Sequence, residues 1–259
     1  MEYETIILTK EDKVATITLN RPEVRNALNG KTVQEISAAL ETIEKDDNIG
    51  VIIFTGKGEK SFAAGADINQ LTKRSSMDAF APGSMTDVYR RIENSKKATI
   101  AAINGYALGG GLELALACDI RIASENVKLG LPELNLAVIP GAGGTQRLSR
   151  IVGKGRALDM ILTGEFLVAD EAKAIGLVSS IVPQEVLLEK AKEKADRINQ
   201  KGPIAVQMAK LTVNKGHEVD MDTALMIENL AQAVLYGTED KVEGTTAFLD
   251  KRTAVFTGN

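Results

Sequence analysis

The stretch Thr99-Ile-Ala-Ala-Ile103-Asn-Gly105-Tyr-Ala-Leu-Gly109-Gly-Gly111-Leu-Glu113-Leu-Ala-Leu-Ala117 changes character twice. Residues 99–103 are an apolar run of strand length, the pattern of a strand covered on both faces. Glycines at 105 and 109–111 end it, and residues 112–117 resume as an almost wholly apolar helix. A buried strand delivering the chain through a glycine turn into a helix is an α/β unit. Working toward the N-terminus, Val51-Ile-Ile-Phe54 repeats the buried-strand pattern, and Val33, Ile36, Leu40 and Ile43 fall at helical spacing before it. A further helix is expected near residues 87–92. Residues 5–8 and Ala15, Ile17 and Leu19 read as a hairpin about Glu11-Asp12-Lys13, with Thr16 and Thr18 on its other face. Loosely repeated strand and helix units predict a layered or spiral sheet core.

Toward the C-terminus the pattern changes to helices alone. Leu187, Ala191, Ala195 and Ile198 form one apolar stripe, and the charges between Glu189 and Arg197 occupy the solvated face. Further helices are expected over 204–213, 223–235 and 241–252. The reading divides the chain into a core over 1–198 and a helical assembly region over 199–259. Residues 71–85 show weak periodicity and a Pro82-Gly83 turn, which suits a loop shaping a substrate pocket.

Composition narrows the chemistry. With 31 basic and 35 acidic residues among 259, and no basic stripe, the chain carries no footprint for nucleic acid or an anionic membrane. One cysteine, Cys118, excludes an intrachain disulfide and predicts a reducing, cytoplasmic setting. The opening Met1-Glu2-Tyr3-Glu4 has acids where a targeting peptide carries bases, and no apolar run approaches the ~20 residues of a membrane helix. The expectation is a protein neither exported nor membrane-spanning. A single histidine, His217, lies in a charged Lys-Gly-His-Glu segment, so a histidine-rich metal site is excluded and a Ser-His-Asp triad is disfavoured. No metal is expected, and acid-base work falls to carboxylates, lysine or tyrosine.

Familiar ligand motifs fail on their spacing. Gly56-Lys-Gly-Glu-Lys60-Ser61 lacks the glycine pattern of a phosphate loop, Gly141-Ala-Gly143-Gly144 lacks the third glycine of a dinucleotide fingerprint, and no Gly-x-Ser-x-Gly elbow occurs. Three other segments carry more. They are Ser61-Phe-Ala-Ala64-Gly-Ala66-Asp67-Ile68, Gly105 through Glu113, and Leu131-Pro132-Glu133 running on to Gly141-Ala-Gly-Gly-Thr145-Gln-Arg147. The small residues at 63–66 and 109–111 let backbone approach a ligand closely, and the free N–H groups at the start of helix 112–117 can face a bound carbonyl. Each turn is followed within a few residues by an acid, Asp67 or Glu113. Glu113 alone reads as a first-turn glutamate favoured by the helix dipole, worth about 0.3–1 kcal/mol, and Glu133 alone as a turn acid. Together, beside two N–H turns, they form an acid-base pair, and burial is expected to raise the pKa of Glu113. The Leu131-Pro132 dipeptide is expected to be extended and to fix where Glu133 points.

In order and spacing these segments resemble the crotonase, or enoyl-CoA hydratase, superfamily, from Asn20-Arg-Pro-Glu23 to Thr246-Ala-Phe248-Leu-Asp-Lys251-Arg252. The resemblance implies an α/β spiral of ββα units with a C-terminal helical region that builds a trimer or a dimer of trimers. It implies that the N–H groups of Ala66 and Gly110 form an oxyanion hole for a thioester oxygen. Glu133 would deliver a proton to the α-carbon, and Glu113 would orient and deprotonate water. Ala64, Asp67, Ile68, Gly109, Gly141, Phe248 and Lys251 would contact the acyl-CoA, with Lys251 near the adenosine phosphates of its own or a neighbouring subunit. Residues 141–147 would support the pocket, and no cofactor would be needed beyond the coenzyme A of the substrate. The implied reaction is syn addition of water to a trans-2-enoyl-CoA, as in fatty-acid β-oxidation. An enoyl-CoA isomerase, which manages with one acid at position 133, and a non-catalytic CoA- or RNA-binding protein are the alternatives; Glu113 and the acidic charge balance weigh against them.

Overall fold

In the computed structural model, which describes residues 3–259, the run at 51–54 is apolar throughout because its strand is covered on both faces. Val51 and Ile53 join one buried cluster, and Ile52 and Phe54 join the other. The hairpin is formed by β1 (Ile6–Glu11) and β2 (Val14–Leu19), turning at Asp12 with φ +50°. Met1 and Glu2, part of the N-terminal segment read for targeting, lie outside the described residues. Helix α1 (Gly30–Glu44), capped by the Asn29 side chain, buries Val33, Ile36, Leu40 and Ile43.

The chain then alternates between two sheets. Strand β3 (Val51–Gly56) pairs parallel to β2, and the short β4 (Ser61–Ala63) starts a second sheet. After α2 (Ile68–Leu71) and α3 (Met85–Glu93), β5 (Ala98–Ile103) returns to the first sheet and β6 (Tyr106–Leu108) to the second. Helix α4 (Gly110–Ala117) leads into β7 (Ile120–Ser124) and β8 (Lys128–Gly130), which repeat the move. Helices α5 (Gly144–Val152), α6 (Lys154–Thr163) and α7 (Ala169–Ala174) precede β9 (Ser180–Val182). The larger sheet has the order β1-β2-β3-β5-β7-β9, antiparallel only at β1, and the smaller has β4-β6-β8. Long strand, short strand, helix is the repeating turn of a ββα spiral, as the resemblance implied.

Helix α8 (Leu187–Asn199) covers the outer face of the larger sheet with Leu187, Ala191 and Ala195. It is followed by α9 (Pro203–Gly216), α10 (Met221–Tyr236) and α11 (Glu239–Leu249). Here large apolar side chains face outward: Met221, Met226, Leu230, Val234, Phe248 and Leu249 are all exposed. Among the described residues no helix is long and apolar enough to cross a membrane.

Candidate active site

The two small-residue turns lie side by side at the inner end of the smaller sheet. Following β4, Leu28 bridges to Ala66 by donating its N–H to the Gly65 carbonyl and accepting the Asp67 N–H on its own carbonyl. The Ala66 N–H therefore faces the other way, and among the described residues it has no acceptor. Following β6, Gly110 is the first residue of α4, so its N–H has no helical partner either. Each of these N–H groups follows a glycine of positive φ, Gly65 at +109° and Gly109 at +50°, conformations that a side chain would strain. The turns approach until the position of a β-carbon on Gly110 lies 3.5 Å from the Ala66 nitrogen. Two unpartnered donors thus converge at the N-terminus of α4, where the helix dipole adds positive potential. The Tyr89 hydroxyl, fully buried, fixes this arrangement by donating to the Gly110 carbonyl at 2.8 Å.

Glu113 lies one turn into α4, which is buried along its whole length, and is itself 2% exposed. Its Oε1 accepts the N–H groups of Ala142 and Gly144, each at 2.7 Å. The start of α5 thus serves as an anion site for a carboxylate of the same chain. Burial raises the Glu113 pKa above the ordinary glutamate value, while the two N–H donors and the Arg147 charge offset part of that rise.

Glu133 opens a 3-10 turn, Glu133–Leu136, and approaches from β8. Pro132 has φ −85° and ψ 17°, so it begins the turn; the expected extended conformation does not hold there. Glu133 Oε1 lies against Gly109, and Oε2 is buried without a hydrogen-bond partner. Burial pushes the Glu133 pKa up to about 7; its own backbone N–H offsets part of the rise, and the Glu113 charge adds a smaller push upward. One carboxylate is held by two N–H donors of another loop and its neighbour keeps Oε2 free, which separates their affinities for a proton.

The other sequence-selected residues divide. Gly109 and Gly141 belong to the cluster: the former shapes the turn, and the carbonyl of the latter accepts from the Thr86 hydroxyl at 3.0 Å. Ala64 donates its N–H to the Arg25 carbonyl, and Ile68, the first residue of α2, is half exposed. The Asp67 carboxylate caps α2 through the Asn69 N–H and pairs with Arg21 at 3.4 Å. Phe248, 83% exposed, and Lys251 lie at the end of α11 and are not brought to the cluster within one chain. His217 is at the C-terminal end of α9, exposed. Among the described residues no group of three or more His, Cys, Asp or Glu side chains is arranged to hold a metal ion. Tyr89 and Glu93 were not foreseen, because their contacts join segments far apart in sequence.

A ββα spiral that sets two unpartnered N–H groups beside the buried Glu113 and the half-buried Glu133 matches what the resemblance to the crotonase superfamily implied. The chain belongs to the enoyl-CoA hydratase/isomerase family, whose sequence profile matches residues 9–259. It is 46% identical to the short-chain-enoyl-CoA hydratase of Clostridium acetobutylicum over 97% of each chain. It is 48% identical to the crotonyl-CoA hydratase of Syntrophomonas wolfei over 99% of each. The crystal structure of an enoyl-CoA hydratase from Bacillus anthracis superimposes with a TM-score of 0.95 at 43% identity, over 99% of this chain and all of that one.

Proposed function

We propose that the protein is an enoyl-CoA hydratase, a hydro-lyase that reversibly adds water to the double bond of a trans-2-enoyl-CoA. The observation that carries this reading is the pairing of Glu113 and Glu133 beside the free N–H groups of Ala66 and Gly110. The thioester oxygen accepts both N–H groups, which stabilise it as negative charge builds in an enolate-like transition state. One such donor is worth about 3–4 kcal/mol there. Glu113, ionised, takes a proton from water as the new bond forms between the water oxygen and the β-carbon. The double-bond electrons move toward the thioester, and Glu133, protonated, supplies the α-carbon. Both protein groups act from one face, so addition is syn. The pair finishes with its one proton moved from Glu133 to Glu113, and dehydration runs the same steps backward.

The free Oε2 of Glu133 suits a proton donor, and the fixed Oε1 of Glu113 suits a group that must aim a water molecule. An isomerase needs one such acid; the held Glu113 favours hydration. No cofactor beyond the coenzyme A of the substrate enters these steps. Ala64, Asp67, Ile68 and Gly141 would border the acyl-CoA. The exposed apolar side chains of α10 and α11 support assembly of the 199–259 region into a trimer or a dimer of trimers. Assembly would also bring Phe248 and Lys251 toward a neighbouring subunit's substrate, in keeping with a soluble cytoplasmic enzyme. Loss of the conjugated absorbance of crotonyl-CoA tests the reaction, and light scattering at three or six chain masses tests the assembly.

A further inference from the structure

Ala142 is held from both sides of its backbone. Its N–H donates to Glu113 at 2.7 Å, and its carbonyl accepts Arg147 Nη1 at 2.8 Å. Arg147, only 9% exposed, reaches back from the first turn of α5 across Gly143, where a β-carbon would stand 2.2 Å from Nη1. The loop is thus folded around the guanidinium. Its other arm, Nη2, donates to Glu93 Oε2 at 3.0 Å, and Arg90 donates to the same oxygen at 2.6 Å. Glu93 is anchored in turn by Asn214 of α9, whose side-chain amide donates to the Glu93 carbonyl at 3.3 Å. A buried cation so placed connects the loop holding Glu113 to α3 and the C-terminal helices, with both guanidinium arms engaged by Ala142 and Glu93.

We infer that Arg147 is a positioning residue for hydration, fixing through the Ala142 carbonyl the two N–H groups that aim Glu113. The planar guanidinium suits the task because its two arms serve two acceptors at once, whereas an ammonium is a single point donor. The inference rests on the hydratase reading above.

The test uses the full-length protein with crotonyl-CoA, comparing wild type with Arg147→Ala and Arg147→Lys. Both variants are expected to lose about 10- to 100-fold in kcat, the range found when the partner orienting a functional ligand is removed. KM should stay within about twofold, because the defect is confined to the transition state. Added guanidinium ion, below denaturing concentration, should restore part of the Arg147→Ala activity and none of the wild-type excess over it in Arg147→Lys, where the space is filled. A kcat within about twofold of wild type in Arg147→Lys overturns the inference. So does a fall that tracks only the loss of folded protein by circular dichroism, with no rescue. If Arg147→Ala does not fold, Arg147→Lys decides: a kcat lowered at constant KM supports the positioning role, and one within about twofold of wild type overturns it. An inactive wild type overturns the hydratase reading itself, and the inference with it, whereas an active wild type with indifferent variants overturns the inference alone.

Discussion

Gly109 leaves no room between its backbone and Glu133: a β-carbon there would lie 2.9 Å from Glu133 Oε1 and 3.4 Å from its carboxyl carbon. The glycine also has φ +50° with ψ −127°, a conformation that L side chains avoid. Gly109→Ala should therefore displace both Glu133 and the Gly110 N–H. A fall in kcat of at least about 100-fold, the scale of one lost oxyanion donor, is expected in steady-state assays. Wild-type turnover in a folded Gly109→Ala protein would show that this close approach is idle.

The pH dependence follows from the unequal settings of the two acids. In the proposed mechanism the active form holds one proton on the pair, with Glu113 ionised and Glu133 protonated for hydration. Burial places the Glu133 pKa at about 7, so activity should fall as pH rises through that region and Glu133 loses its proton. On the acid side, activity should fall as Glu113 is protonated, at a pH above the ordinary glutamate value. Dehydration needs the same total proton count on the pair, so kcat/KM in both directions should trace one bell. A profile flat from about pH 5 to 9 would contradict these assignments.

Substitution of the acids should separate activity from stability. Glu113→Gln and Glu133→Gln should each lower kcat by about 10²- to 10⁴-fold, the usual contribution of a positioned acid or base. Because the folded-state pKa of Glu133 is raised, its contribution to stability is fully present at low pH and is lost as pH rises from the ordinary glutamate value through about 7. Glu133→Gln removes that loss. Its thermal midpoint should exceed wild type at pH 8 by about 2–4 °C, as for ~1 kcal/mol in a chain of this size, and the gain should shrink at pH 5. Equal midpoints at both pH values would show that Glu133 is not held against ionisation.

Much of this was legible in the sequence because single side chains bear it. Residues 51–54 and 99–103 read as buried strands since both faces are apolar, whereas Glu113, alone a first-turn glutamate, was singled out by its pairing with Glu133 beside two small-residue turns. The three short strands were not legible: Ser61–Ala63, Tyr106–Leu108 and Lys128–Gly130 are too brief for a period of two to register, and only the small-residue turns at 63–66 and 109–111 that follow the first two could be read. Pro132 misled because its own ψ of 17° starts a 3-10 turn that local preference does not announce. The supports of the site were hidden for another reason. Tyr89 meets Gly110 across 21 residues and Arg147 meets Glu93 across 54, and no spacing rule connects such segments before the chain is folded.

In the proposed reaction Glu113, held by Ala142 and Gly144, and Glu133, left without a partner on Oε2, together add water to an enoyl thioester. The most direct measurement follows the conjugated absorbance of crotonyl-CoA after addition of the purified protein alone, repeated over several acyl lengths. Hydration predicts that this absorbance falls to an equilibrium value with no added cofactor, and that 3-hydroxybutyryl-CoA accumulates in step. Steady absorbance, with a 3-enoyl-CoA converted instead to its 2-enoyl isomer, would contradict it.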